Sequence, residues 1–224
     1  MKLAVQTATS TVLGLGFFGL VLFLPAGTFH YWQAWVFVAV FAVSTFVPSV
    51  YLALRHPDAL ARRMKAGPTA ETRPVQRVII TAIFLAGIAV MVISALDWRF
   101  GWSSVPLWLV IAGDVLVGVG LLCAQLVVVQ NNYAGASITV EKGQPLVSTG
   151  LYGVVRHPMY AGSLVMMLGT PPALGSLWGL TAVVASVPVL AARLLDEEKA
   201  LSADLAGYAE YTRQVRYRLI PGVW

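Results

Sequence analysis

Stretches of about 20 apolar residues recur along this chain, at roughly 4–24, 32–54, 77–97 and 105–129, with the charged residues pushed into the gaps. A run of that length is what a helix needs to cross the hydrocarbon of a bilayer. Inside a bilayer every backbone donor and acceptor must be satisfied within the segment, so the runs read as helices. Composition agrees. Of 224 residues 11% are charged and 58% hydrophobic, with mean hydropathy +0.77, whereas a soluble domain carries about 25% charged residues.

A fifth apolar region, 158–195, is interrupted by Thr170-Pro171-Pro172 and Gly175. Two successive prolines remove two amide donors and crowd the preceding turn, which predicts a helical hairpin whose first arm has about 12 residues. At 1.5 Å per residue such an arm rises only ~18 Å, short of the ~30 Å hydrocarbon core. Over 196–219, Leu201, Leu205, Tyr208, Tyr211, Val215 and Leu219 recur at three- and four-residue spacing with charges between them, the pattern of an amphipathic helix. The expected fold is therefore an all-α, polytopic membrane helix bundle of about six spans, the last two a proline-broken hairpin, plus a C-terminal amphipathic cytoplasmic helix. It forms a single domain over 1–224, with four transmembrane helices in 1–129 and the chemistry-bearing region in 130–224.

Charge sets the orientation. The 55–77 loop holds Arg55, Arg62, Arg63, Lys65, Arg73 and Arg77, and the same side receives Lys2, Lys142, Arg156, Arg193, Lys199, Arg213, Arg216 and Arg218, against Arg99 alone opposite. The positive-inside rule then puts both termini in the cytoplasm. The membrane would be the inner one in a bacterium and the endoplasmic reticulum in a eukaryote. Lys2 ahead of an apolar run would also suit a signal peptide, but no small-x-small cleavage site follows. The net charge of +5 does not point to nucleic acid, because the cations flank apolar segments instead of forming a stripe interleaved with aromatics.

Several motifs have ordinary explanations. Gly14-Leu15-Gly16-Phe17-Phe18-Gly19 matches a dinucleotide fingerprint in letters only, lacking the strand and the βαβ context; close helix packing by small residues is the better account. Cys123 reads as a small core residue, and His30 and His56 as interfacial ones. With one cysteine and three isolated histidines no metal-ligand spacing exists. Asp114, about ten residues into the fourth apolar run, needs a hydrogen bond to a neighbouring helix or a pocket to serve.

Two clusters resist such readings. Arg156-His157-Pro158-Met159-Tyr160 sets proline at the first position of a helix and gathers cations where the helix dipole favours an anion. Arg193 and Glu197 share a helix face; they could be a simple ion pair, or an arginine that grips a carboxylate beside a glutamate that accepts hydroxyl or cationic groups.

Val129-Gln130-Asn131, Gln144-Pro145-Leu146-Val147, Gly150-x-Tyr152, Arg156-His157-Pro158-x-Tyr160, Arg193 with Glu197-Glu198-x-x-Leu201, and Tyr208-x-x-Tyr211 leading to Arg218-Leu219-Ile220-Pro221 together resemble the isoprenylcysteine carboxyl methyltransferase family. That family sits within a wider membrane group that includes phospholipid N-methyltransferases. The resemblance covers roughly 125–220. Gly207 departs from the family pattern by standing next to Tyr208 rather than three residues before it.

The resemblance implies S-adenosyl-L-methionine as cofactor. Its contacts would be Gln130, Gln144, Pro145, Leu146, Val147, Tyr152, His157, Pro158, Met159, Tyr160 and Glu197. Arg193 would orient the carboxylate of a lipophilic, prenylcysteine-like acceptor, with Arg156 adding positive charge, while Glu198 or His157 would take a proton if the acceptor were an amine. Membrane lipids and a lipid-phase acceptor are the expected partners. Methyl transfer from a sulfonium is an in-line displacement that depends chiefly on alignment. Three alternatives stay open: a phospholipid or amine N-methyltransferase of the same fold, a sterol-type reductase using a nicotinamide cofactor, and a non-enzymatic membrane protein.

Overall fold

The computed structural model describes residues 2–71, 73–141 and 143–224, with the side chains of residues 2–8, 10, 11 and 15 left out of the description. Lys142 and the Lys2 side chain, both part of the charge count above, lie outside the described residues. Eight α-helices follow in order: α1 (Lys2–Ala26), α2 (Trp32–Arg55), α3 (Pro57–Met64), α4 (Pro74–Phe100), α5 (Leu107–Gln130), α6 (Pro158–Ala173), α7 (Gly179–Asp204) and α8 (Tyr208–Gln214). Among the described residues there is no strand. Proline opens α3, α4 and α6, where its missing N–H has no helical partner to lose.

Helices α2, α4, α5 and α7 are long and apolar enough to cross a membrane; α1 contributes a shorter apolar run, Val12–Ala26. Among the described residues, four of the six expected spans satisfy both criteria. Helix α6 has 16 residues and rises ~24 Å, still short of the hydrocarbon core. It is nonetheless longer than the predicted arm of 12, because Pro171 and Pro172 are taken into its last turn. Proline's fixed φ is compatible with a helix, and the turn is closed from beyond. Leu174 N donates to Thr170 O (3.1 Å), Gly175 N to Pro172 O (2.8 Å) and Ser176 N to Pro171 O (2.9 Å). Gly175, at φ +69°, then ends the helix in the left-handed conformation.

The seam between α5 and α6 is made of glycine. A Cβ on Gly120 would lie 2.5 Å from Gly162 O, and one on Gly169 would lie 2.7 Å from Gly113 O, so the two backbones touch as small residues permit. Gly14, Gly16 and Gly19 have no heavy atom within 4 Å of such a Cβ. The close packing expected of that motif is therefore not made among the described residues, where Gly113/Gly120 against Gly162/Gly169 performs it instead.

The two ends of the bundle differ chemically. Trp32, Trp35, Trp102, Trp108 and Trp178 are exposed where α1–α2, α4–α5 and α6–α7 connect, the position of an interfacial aromatic belt. There Asp97, fully buried, accepts from Ser176 Oγ (2.6 Å), Leu177 N (3.1 Å) and Trp178 N (3.2 Å), satisfying orphan donors at the start of α7. The other end carries the 55–74 and 131–157 connections and the chain's C-terminal residues.

The predicted single helix over 196–219 is two pieces. Helix α7 continues to Asp204, Leu205 is extended, Gly207 takes φ +82°, and α8 begins at Tyr208. The periodicity still marked the buried face: Leu205, Tyr208, Tyr211 and Val215 pack with Val140, Leu146 and Leu201.

Candidate active site

The first turn of α6, the last turns of α7 and the C-terminal tail converge at the end opposite the tryptophans. Glu198 is the hub. Its Oε1 accepts from Arg156 Nε (2.7 Å) and lies 3.2 Å from His157 Nε2, and its Oε2 accepts from Arg218 Nε (2.9 Å). Arg156 also donates to the carbonyls of Val215 and Arg216, both at 3.3 Å. The backbone N–H groups of Arg156 and His157 bond Tyr217 O and Arg218 O, each at 2.9 Å. Both oxygens of Glu198 are thus committed, and Arg156 clamps the tail onto α6.

A second network surrounds Arg193. Its Nη1 lies 2.6 Å from Glu71 Oε1 in an ion contact and donates to Gln76 Oε1, while Nη2 donates to Ala136 O (3.1 Å). The two charged side chains are 4% and 2% exposed. Gln76 in turn donates to Asp196, which also accepts from Arg73. Arg193 therefore pairs with Glu71, from the segment leading into α4, and not with Glu197 one turn along its own helix. Glu197 accepts instead from Tyr160 Oη, and among the described residues no basic side chain lies within 4.0 Å of it.

The remaining expected positions are held in local networks of their own. Gln130 ends α5 and its Oε1 accepts from Leu151 N (3.1 Å); Gly150, at φ +62°, leaves room that a Cβ would fill, 2.8 Å from that same amide oxygen. Tyr152 Oη accepts from Asn131 Nδ2 (3.2 Å), and its carbonyl accepts from Tyr211 Oη (2.8 Å). Burial pushes the Tyr152 phenol up to about 12, so it stays neutral at physiological pH. Leu146 packs under α8, and Gln144 Oε1 accepts from Glu141 N (3.1 Å). The 144–147 segment is thereby tied to α8 and to its own turn, without a hydrogen bond to His157, Tyr160 or Glu197. Pro158 is buried at the start of α6, with Met159 and Tyr160 half-buried after it. Asp114 Oδ1 is buried on α5 without a hydrogen-bond partner among the described residues, so the expected bond to a neighbouring helix is not made there.

Sequence reasoning missed Glu71, Gln76, Arg73 and Asp196 as partners, and Arg218 as a ligand of Glu198. The only available signal was a lone glutamate in a basic connection.

Residues 108–205 match the family model described as phospholipid methyltransferase. The chain is 29% identical over 161 residues to the cobalt-zinc-cadmium resistance protein CzcN of Cupriavidus metallidurans, covering 71% of this chain and 68% of that one. It is 34% identical over 91 residues to the Delta(14)-sterol reductase of Mus musculus, covering 39% of this chain but 22% of the reductase. Among solved structures, the eukaryotic intramembrane Ras methyltransferase, an isoprenylcysteine carboxyl methyltransferase, superposes with TM-score 0.53 at 16% identity over 100% of this chain and 88% of that one. Residues 108–205 thus carry the pattern of the phospholipid methyltransferase family, and the whole chain shares the fold of the isoprenylcysteine carboxyl methyltransferase structure.

Proposed function

We propose that this chain is an S-adenosyl-L-methionine-dependent methyltransferase that modifies a lipophilic acceptor at the polar end of its bundle. The observation that carries the reading is the convergence of Tyr160, Glu197 and the Arg156–His157–Glu198–Arg218 cluster at one end of an apolar bundle. The residues suit a sulfonium-bearing nucleoside. Among the described residues Glu197 is a carboxylate without a cation within 4.0 Å, and Tyr208 Oη is buried without a partner, which leaves groups for a cation and for hydroxyls. When bound, the cofactor supplies an electrophilic methyl whose departure leaves its sulfur neutral. Glu197 and Tyr160 would balance the positive donor, Gln130 and Tyr152 would wall the site, and the tail held by Arg156 would exclude water and so strengthen these contacts. The excess of Lys and Arg at this end supports a cytoplasmic site with both termini on that side.

The surroundings of Arg193 bear on the acceptor. A carboxylate acceptor of prenylcysteine type needs a guanidinium free to grip it, and Arg193 is already neutralised by buried Glu71. Separating a buried pair costs about 3–5 kcal/mol, so the geometry favours the second acceptor class, a neutral amine such as a phospholipid headgroup. The test is transfer of radiolabelled methyl from the cofactor to phosphatidylethanolamine vesicles or to a farnesylcysteine analogue. Label in the vesicles, with a rate that falls as the amine protonates below its pKa, supports the amine reading. Label in the farnesylcysteine analogue alone restores the carboxylate reading, and label in neither defeats both. Binding of a nicotinamide nucleotide in preference to S-adenosylhomocysteine would support the reductase alternative.

A further inference from the structure

Most charges buried or half-buried at the polar end are matched: Arg193 with Glu71, Arg73 with Asp196, Arg156 and Arg218 with Glu198, and Arg62 with Glu141. Two are not. Arg63 on α3 has no carboxylate within 4.0 Å among the described residues. Among the described residues its Nη1 has Met159 Sδ (3.2 Å) and Gly135 O (3.5 Å) as partners, and burial pushes its pKa down. Glu197 on α7 is the complement, a carboxylate whose one side-chain partner is the neutral Tyr160 hydroxyl.

These two unmatched groups meet successive residues of one helical turn. Arg63 touches Met159 and Glu197 touches Tyr160, and neighbouring residues on an α-helix project about 100° apart. A half-buried guanidinium without an acid, and a half-buried carboxylate without a base, are each costly alone. The pair costs less once a ligand brings the opposite charges in the opposite order.

The geometry points to a split zwitterion site, in which Arg63 takes the carboxylate, and Glu197 the ammonium, of the aminoacyl end of the methyl donor. The inference rests on the donor reading above and adds to it a residue from the N-terminal half of the chain. A guanidinium can hold a carboxylate through two parallel bonds, and Arg63 has donors left over for that role because no acid claims them. The site would therefore prefer a donor that keeps its carboxyl group.

The test is calorimetric binding of two probes to the full-length protein in detergent: S-adenosylhomocysteine, and its decarboxylated counterpart, which keeps the ammonium and loses the carboxylate. The wild-type chain is expected to bind the first at least about tenfold more tightly, the scale of one charge-assisted contact. Arg63→Gln is expected to weaken S-adenosylhomocysteine alone and bring the two affinities within about twofold. Glu197→Gln weakens both probes, and Arg62→Gln neither. Equal wild-type affinity for the two probes overturns the inference without recourse to any variant. So does an Arg63→Gln protein, folded by its thermal transition, that loses both probes alike or neither. A wild-type chain that binds neither probe removes the donor reading itself, an outcome distinct from binding both equally.

Discussion

Arg193 and Glu71 neutralise each other out of water, their side chains 4% and 2% exposed. Glu71 lies more than a hundred residues away in a connection rich in lysine and arginine, and the pairing of two buried charges across a fold leaves no local pattern to read. The consequence is measurable. Glu71→Ala strands a guanidinium that is 4% exposed, so unfolding in detergent should become easier by about 3–5 kcal/mol. The double variant Glu71→Ala/Arg193→Met should recover part of that loss, because a well-packed apolar side chain replaces an ion pair cheaply. A single variant as stable as wild type would show that the pair is not closed in the membrane. Glu197→Ala tests a different property: it breaks only a bond to Tyr160, so binding of S-adenosylhomocysteine should fall far more than the melting temperature does. Equal losses in both would make Glu197 structural.

Among elements, helix positions were the most legible part of the fold, since long apolar runs tolerate little else in lipid. Helix contacts were less so. The letters Gly14-x-Gly16-x-x-Gly19 suggested a packing motif but lie in open space, whereas Gly113, Gly120, Gly162 and Gly169, seven residues apart in pairs, form the tightest seam. A glycine shows its purpose only when the facing backbone is known. Gly120→Ala should therefore destabilise the chain by about 2 kcal/mol or more through overpacking, while Gly16→Ala changes stability by less than about 0.5 kcal/mol; matched thermal scans decide between them. The tail was half legible. Its apolar spacing named the right buried residues, but Gly207 divides the helix, because a left-handed residue cannot continue it. Burial raises the Tyr152 phenol from 10.0 to about 12 and raises Tyr208 and Tyr211 as well. In the unfolded chain these phenols ionise near pH 10 while in the folded one they cannot, so stability is complete below pH 10 and declines as pH climbs toward 12. Thermal scans across that window should show the decline, and Tyr152→Phe should lessen it.

For the whole molecule, the tryptophan-rich end and the arginine-rich end give the bundle a polarity, and the proposed site occupies the basic end. The segment with recognisable motifs, 108–205, supplies α6 and α7 with Glu197, Glu198 and Arg193, yet it does not include Glu71, Gln76, Arg63 or Arg218. Its hallmark residues are held by partners drawn from both flanks. A fragment limited to 108–205 would leave the Arg193 guanidinium without Glu71 and Gln76, and the Glu198 carboxylate without the Arg218 that completes its shell. Such an excised piece is not autonomous. During synthesis α7 could be seated only after the α3–α4 connection had already arrived to receive it, which makes the unremarkable first half of the chain a template for the second.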